Sequence, residues 1–143
     1  METLSIDPQE VNLQEMIDRG VELHGHLGPY LVAGIRMGLL ALELLKSPGY
    51  FGLSAVSEAG RKPPRSCLSD GIQIGSGCTA GKGNLEINDV GRAQVHFRSD
   101  QGRSLSVSLR PEIEREFADG DPHALSERVA KLSLEELFQW KTG

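Results

Sequence analysis

Gly28-Pro29-Tyr30-Leu31-Val32-Ala33-Gly34-Ile35-Arg36-Met37-Gly38-Leu39-Leu40-Ala41-Leu42-Glu43-Leu44-Leu45-Lys46 contains the most apolar run of the chain. Gly28-Pro29 reads as an N-cap followed by a first helical residue, because proline's missing N–H costs nothing there. Ser47-Pro48-Gly49 stops the helix. The stretch therefore predicts a helix over about Pro29 to Lys46. Its apolar side chains fall nearly all round, and such a helix is buried. Arg36 and Glu43, together with its length, exclude a bilayer span. Gly34 and Gly38 lie four apart, and each costs about 1 kcal/mol against alanine in a helix interior. Something must approach that face closely, either a second helix or a ligand. Arg36 needs an acidic partner or a water-filled cleft, and it is a candidate anion-binding residue.

A buried helix needs other layers to cover it. Upstream, Asp7-Pro8 opens a first helix with Val11, Met16, Ile17 and Leu23 as apolar positions. The chain must then bend between Val21 and Pro29. Downstream, Gly52 to Glu58 reads as a strand, while Leu68 to Ser76 fits either a short buried helix or an irregular element. Arg92 to Arg98 alternates, with Ala93, Val95 and Phe97 facing one way and Gln94, His96 and Arg98 the other. Leu105, Val107 and Leu109 repeat the pattern, so the two runs form a β-hairpin across Ser99-Asp100-Gln101-Gly102. The last third reads as helical, with starts at Pro111 and Asp121-Pro122 and a capping box at Ser133-Leu134-Glu135-Glu136. Trp140 joins Leu134, Leu137 and Phe138 in a packing face. The economical fold is α+β, a mostly antiparallel sheet packed against helices.

With 143 residues, the chain is expected to form one domain over 1–143 with a core of its own. A net charge of −5 lacks the basic footprint of a nucleic-acid binder and argues against anionic membranes. The start, Met1-Glu2-Thr3-Leu4-Ser5, has no signal-peptide pattern. Two cysteines fall far below a secreted disulfide scaffold. The expectation is a cytoplasmic protein without nucleic-acid or membrane partners.

The sharpest chemical feature is His24-Gly25-His26. In a turned segment the two imidazoles share a face, and Gly25 lets the backbone turn. His26 precedes a helix N-terminus, which disfavours imidazolium, and a neutral imidazole is what a metal ligand requires. Ordinary loop or capping histidines are the alternative. Cys67 and Cys78 follow. On one helix they would share a face but stand roughly 16 Å apart, too far for a disulfide or a common ion. Cys67 would lie at the helix start, where a thiolate is favoured. Two buried free thiols are the alternative. Gly75 to Gly83 matches neither a dinucleotide fingerprint nor a phosphate loop, since helix and spacing are wrong. Its amides and Lys82 could hold an anion, or Lys82 could simply be solvated. His96 and His123 read as surface residues.

His24-Gly25-His26-Leu27-Gly28-Pro29, Gly34-Ile35-Arg36-Met37-Gly38, Cys67 through Asp70-Gly71-Ile72-Gln73, and Gly77-Cys78-Thr79-Ala80-Gly81-Lys82-Gly83-Asn84-Leu85 occur in that order. The chain thereby resembles the FmdE family, the E-type subunits of formylmethanofuran dehydrogenase, from about His24 to Arg110. The resemblance implies a topology related to the catalytic domain of glyceraldehyde-3-phosphate dehydrogenase and an interlocked homodimer. It also implies a metal-binding cleft where His24, His26, Cys67 and Cys78 meet, with zinc the expected metal. It points to an enzyme or accessory factor of one-carbon or redox metabolism acting on a small-molecule ligand. A carrier or structural module of a larger redox enzyme complex is the alternative. Two departures stand out. Gly28 replaces a cysteine common in relatives, and no cysteine follows Cys78, so the expectation is the core domain without the C-terminal zinc finger of many members.

Overall fold

The computed structural model describes residues 2–143. In chain order the elements are α1 (Leu13–His24), α2 (Pro29–Leu45), β1 (Leu53–Ser57), α3 (Cys67–Ser76), β2 (Leu85–Ile87), β3 (Gln94–Ser99), β4 (Ser104–Leu109), α4 (Pro111–Glu116), α5 (Pro122–Lys131), α6 (Leu134–Leu137) and β5 (Phe138–Thr142). The strands make one five-stranded mixed sheet in the order β2-β1-β3-β4-β5. β1 and β2 pair in parallel, and the other three pairings are antiparallel.

Register places the core on one face of this sheet. Ala55 lies opposite Phe97, Phe97 opposite Leu105, Val95 opposite Val107, and Leu109 opposite Phe138; all these side chains are buried. The alternate positions, among them His96, Arg98, Ser104, Ser106 and Ser108, are half-buried or exposed. This is the two-residue period of a sheet covered on one side. α2 lies against β3 and β4 and also touches α1, α3 and α5.

The glycines of α2 meet α3. A Cβ on Gly34 would stand 2.1 Å from Leu68 O, and one on Gly38 would stand 2.7 Å from the Gly75 carbonyl carbon. From the other side, a Cβ on Gly71 would stand 2.2 Å from Leu31 O, and one on Gly75 2.1 Å from Ile35 O. Backbone thus touches backbone along two helices, and any side chain there would force them apart. Of the two readings of Gly34 and Gly38, the packed helix is the one found. The apolar helix also finds its cover inside the chain, so its hydrophobicity calls for no second subunit.

Three sequence expectations need correction. Asp7-Pro8 makes a turn instead of a helix, because Asp7 O accepts from the amides of Glu10 and Val11; α1 starts later, capped by Asn12, whose side chain accepts from Glu15 N. Leu23 is exposed. The C-terminal segment is not helical to its end: Phe138–Thr142 adds an edge strand to β4, with Trp140 half-buried opposite Val107. β2 was also not expected. None of the described helices is long and apolar enough to cross a membrane.

Candidate metal centre

α1 ends at His24. Gly25 then adopts φ +103°, and its N–H closes the helix on Val21 O at 2.7 Å. A left-handed C-cap is where glycine is preferred. Gly28, in extended conformation, caps the N-terminus of α2. The short link turns His26 back beside His24, with ring centroids 4.4 Å apart and planes tilted by 39°. α3 brings Cys67, its first residue, to the same place. One ligand-competent atom each from His24, His26 and Cys67 lie within 4.8 Å of one another.

Asp70, one turn along α3 from Cys67, places Oδ2 2.6 Å from Nδ1 of His24. In the neutral ring a carboxylate at this distance accepts the Nδ1 proton, and that tautomer carries its lone pair on Nε2. That Nε2 is buried and has no hydrogen-bond partner. A buried imidazole nitrogen without a donor is costly, and a cation beside it removes the cost. Asp70 is itself steadied by Gln73, whose Nε2 donates to its Oδ1 at 3.2 Å. A carboxylate–histidine pair behind two imidazoles and a thiol is a donor set suited to zinc and neighbouring transition metals. The residues present therefore fit a metal.

Burial, reinforced by the charge of Asp70, pushes the Cys67 thiol up. Burial outweighs the gain expected from the helix start. A cation would have to supply the stabilisation that makes it a thiolate.

The other candidate residues are engaged elsewhere. Cys78 lies beyond the C-terminal end of α3, fully buried, with Sγ 3.6 Å from Leu53 O; it is not part of the three-residue cluster. Burial pushes its thiol up as well. Both cysteines are free. Among the described residues Arg36 has no acidic partner: its Nη1 donates to Val129 O at 2.8 Å and to Leu132 O, tying down the end of α5. Lys82 is spent on its own loop, donating to Gly77 O at 2.7 Å and Thr79 Oγ1 at 3.0 Å, beside the rings of Tyr50 and Phe51. His96 is half-exposed between Glu58 and Ser106, and His123 is exposed. Asp70 was missed by sequence reasoning. Its signal was Cys67-x-x-Asp70, a spacing that puts two side chains on one face of a helix.

Residues 23–142 match the family described as FmdE, Molybdenum formylmethanofuran dehydrogenase operon. A probable S-adenosyl-L-methionine-binding protein of Archaeoglobus fulgidus is 29% identical over 131 residues, covering 86% of this chain but 34% of that protein. The chain thus spans about a third of that relative's length. The fold resembles the crystal structure of a tungsten formylmethanofuran dehydrogenase FmdE-like protein from Syntrophus aciditrophicus, with a TM-score of 0.75 and 20% identity. That match covers 99% of this chain and 77% of the other. Since the family match takes in His24, His26, Cys67 and Asp70 along with all five strands, the chain belongs to the FmdE family.

Proposed function

We propose that this chain binds one transition metal per protomer through His24, His26 and Cys67, zinc being the first candidate, and serves as a metal-dependent enzyme or accessory subunit in one-carbon or redox metabolism. The observation that carries the reading is the buried, partnerless Nε2 of His24, aligned by Asp70 and close to two further ligands. Three protein donors are the number found in catalytic zinc sites, whereas structural sites use four. When bound, such an ion supplies Lewis acidity to a ligand in the open position. Asp70 keeps His24 in the tautomer that coordinates, and the fold of α1, α2 and α3 holds the donors together before the ion arrives. Family membership also supports assembly, either as a two-fold homodimer or within a larger redox complex. The likeness to glyceraldehyde-3-phosphate dehydrogenase topology belongs to the same proposal.

A non-catalytic metal carrier is the competing role, and the count of three donors favours the open site over it. A second reading takes S-adenosylmethionine as the small-molecule ligand. It is favoured by the name of the Archaeoglobus relative and by a cleft of about 690 Å³ near the centre, whose walls include Tyr30, Lys62, Arg65 and Glu114.

Elemental analysis of freshly purified, untagged protein tests the metal reading. About one equivalent of metal per chain supports it. Protein that neither contains nor takes up metal overturns it.

A further inference from the structure

Beside the three donors lies a pocket of about 150 Å³. His26 and Cys67 form one edge of it, and Leu27, Pro29, Pro64, Phe117, Pro122 and Leu125 form the rest of its side-chain wall with Tyr30. Gly28 contributes no side chain there: a Cβ on it would lie 3.6 Å from His26 Nε2, so any larger residue would fill the space next to the imidazole. The Tyr30 hydroxyl is committed, donating to Glu114 Oε2 at 2.7 Å. Its ring stands edge-on to Phe117 at 5.0 Å. The only other side-chain polar atoms on the wall are those of His26 and Cys67.

We propose that this pocket seats an apolar group, of up to roughly six carbon atoms, on a ligand whose head coordinates the metal held by His24, His26 and Cys67. The inference rests on the metal reading above and adds the class of molecule that the centre receives. The size follows from volume, because an apolar protein cavity of about 150 Å³ accepts a benzene-sized guest. The chemistry follows from the wall. A polar tail would lose its water and find no free partner among these side chains, whereas an alkyl or small aromatic group is buried against proline, leucine and phenylalanine. The position follows from His26 and Cys67, which belong both to the donor set and to the pocket edge.

The test uses the whole chain loaded with cobalt(II), whose visible spectrum reports coordination. It is titrated anaerobically with ethanethiol, 1-butanethiol and 1-hexanethiol. These share one head group, so the tail alone varies. The expected result is an affinity that rises roughly three- to fourfold per added methylene up to about six carbons. In Leu125→Trp, which fills the pocket, that rise disappears. Stoichiometric cobalt with equal affinities across the series in the wild-type chain overturns the pocket while leaving the metal site standing. A gain with chain length that persists in cobalt-loaded Leu125→Trp also overturns it. Failure of cobalt to bind at all overturns both readings.

Discussion

Asp70 Oδ2 lies 2.6 Å from Nδ1 of His24, across 46 residues of sequence, and this contact decides which nitrogen of His24 is available. It joins the end of α1 to the first turn of α3. It leaves Nε2 buried and without a partner. Replacing Asp70 by Asn keeps the shape but removes the charge that orients the imidazole. Zinc affinity should fall about 10- to 100-fold, read by competition against a chromogenic chelator, with circular dichroism unchanged. An affinity equal to that of the wild type would mean that the contact is only structural.

The two cysteines should behave differently. Cys67→Ala should weaken metal binding, and Cys78→Ala should leave metal content alone while costing about 1 kcal/mol of stability through lost packing. Alkylation with and without a chelator checks this independently. Metal masks Cys67, and chelation frees it to react through the pocket that it lines. Cys78 stays unreactive in the folded chain throughout, because burial keeps its thiol inaccessible and pushes it up toward the protonated form. Chelation that unmasks Cys78 and not Cys67 would reverse the assignment.

The contact between α2 and α3 predicts a sharp contrast between glycines. Gly71→Ala puts a Cβ 2.2 Å from Leu31 O, with Gly34 Cα and Ile35 N next, and all three are backbone, so none can step aside. Urea unfolding should show a loss of more than about 3 kcal/mol. Gly81, with open space around it, should accept alanine within about 0.5 kcal/mol. Similar costs at both positions would contradict the close approach.

Arg36 gives a test of the corrected role. Arg36→Met keeps the apolar stem and removes the donors to Val129 O and Leu132 O. The expected loss is about 1–3 kcal/mol from the carbonyls left unpaired, seen as a lower unfolding midpoint, with metal content unaffected. A variant of wild-type stability would contradict the tie between Arg36 and the end of α5.

These outcomes also mark what the sequence could convey. The β3–β4 hairpin and the helix from Pro29 were legible, because period-2 alternation and an all-round apolar helix are local patterns. The Gly34/Gly38 spacing announced a close neighbour, but its identity depended on α3 bringing Gly71 and Gly75 to meet it. β2 and β5 were hidden because each is short and pairs with residues distant in sequence. Phe138–Thr142 alternates over only two apolar residues, Phe138 and Trp140, and directly follows a capping box that signals a helix. At the site, His24-Gly25-His26 and Cys67 could be named from residue type and turn chemistry. Asp70 was passed over although its spacing placed it on one helix face with Cys67, since its contact with His24 arises only when α1 and α3 meet. The carbonyls that Arg36 and Lys82 meet were hidden for a related reason. A positive charge in a sequence looks free until the carbonyls that occupy it are seen.

X-ray absorption at the zinc edge of the zinc-loaded protein tests the central claim most directly, because it counts the donors. The account predicts one sulfur at about 2.3 Å and two imidazole nitrogens at about 2.0–2.1 Å, with any remaining ligand a light atom from solvent. A shell with no sulfur would remove Cys67 from the centre, and a shell with two would bring Cys78 into it; either result would contradict the assignment of His24, His26 and Cys67 as the ligand set.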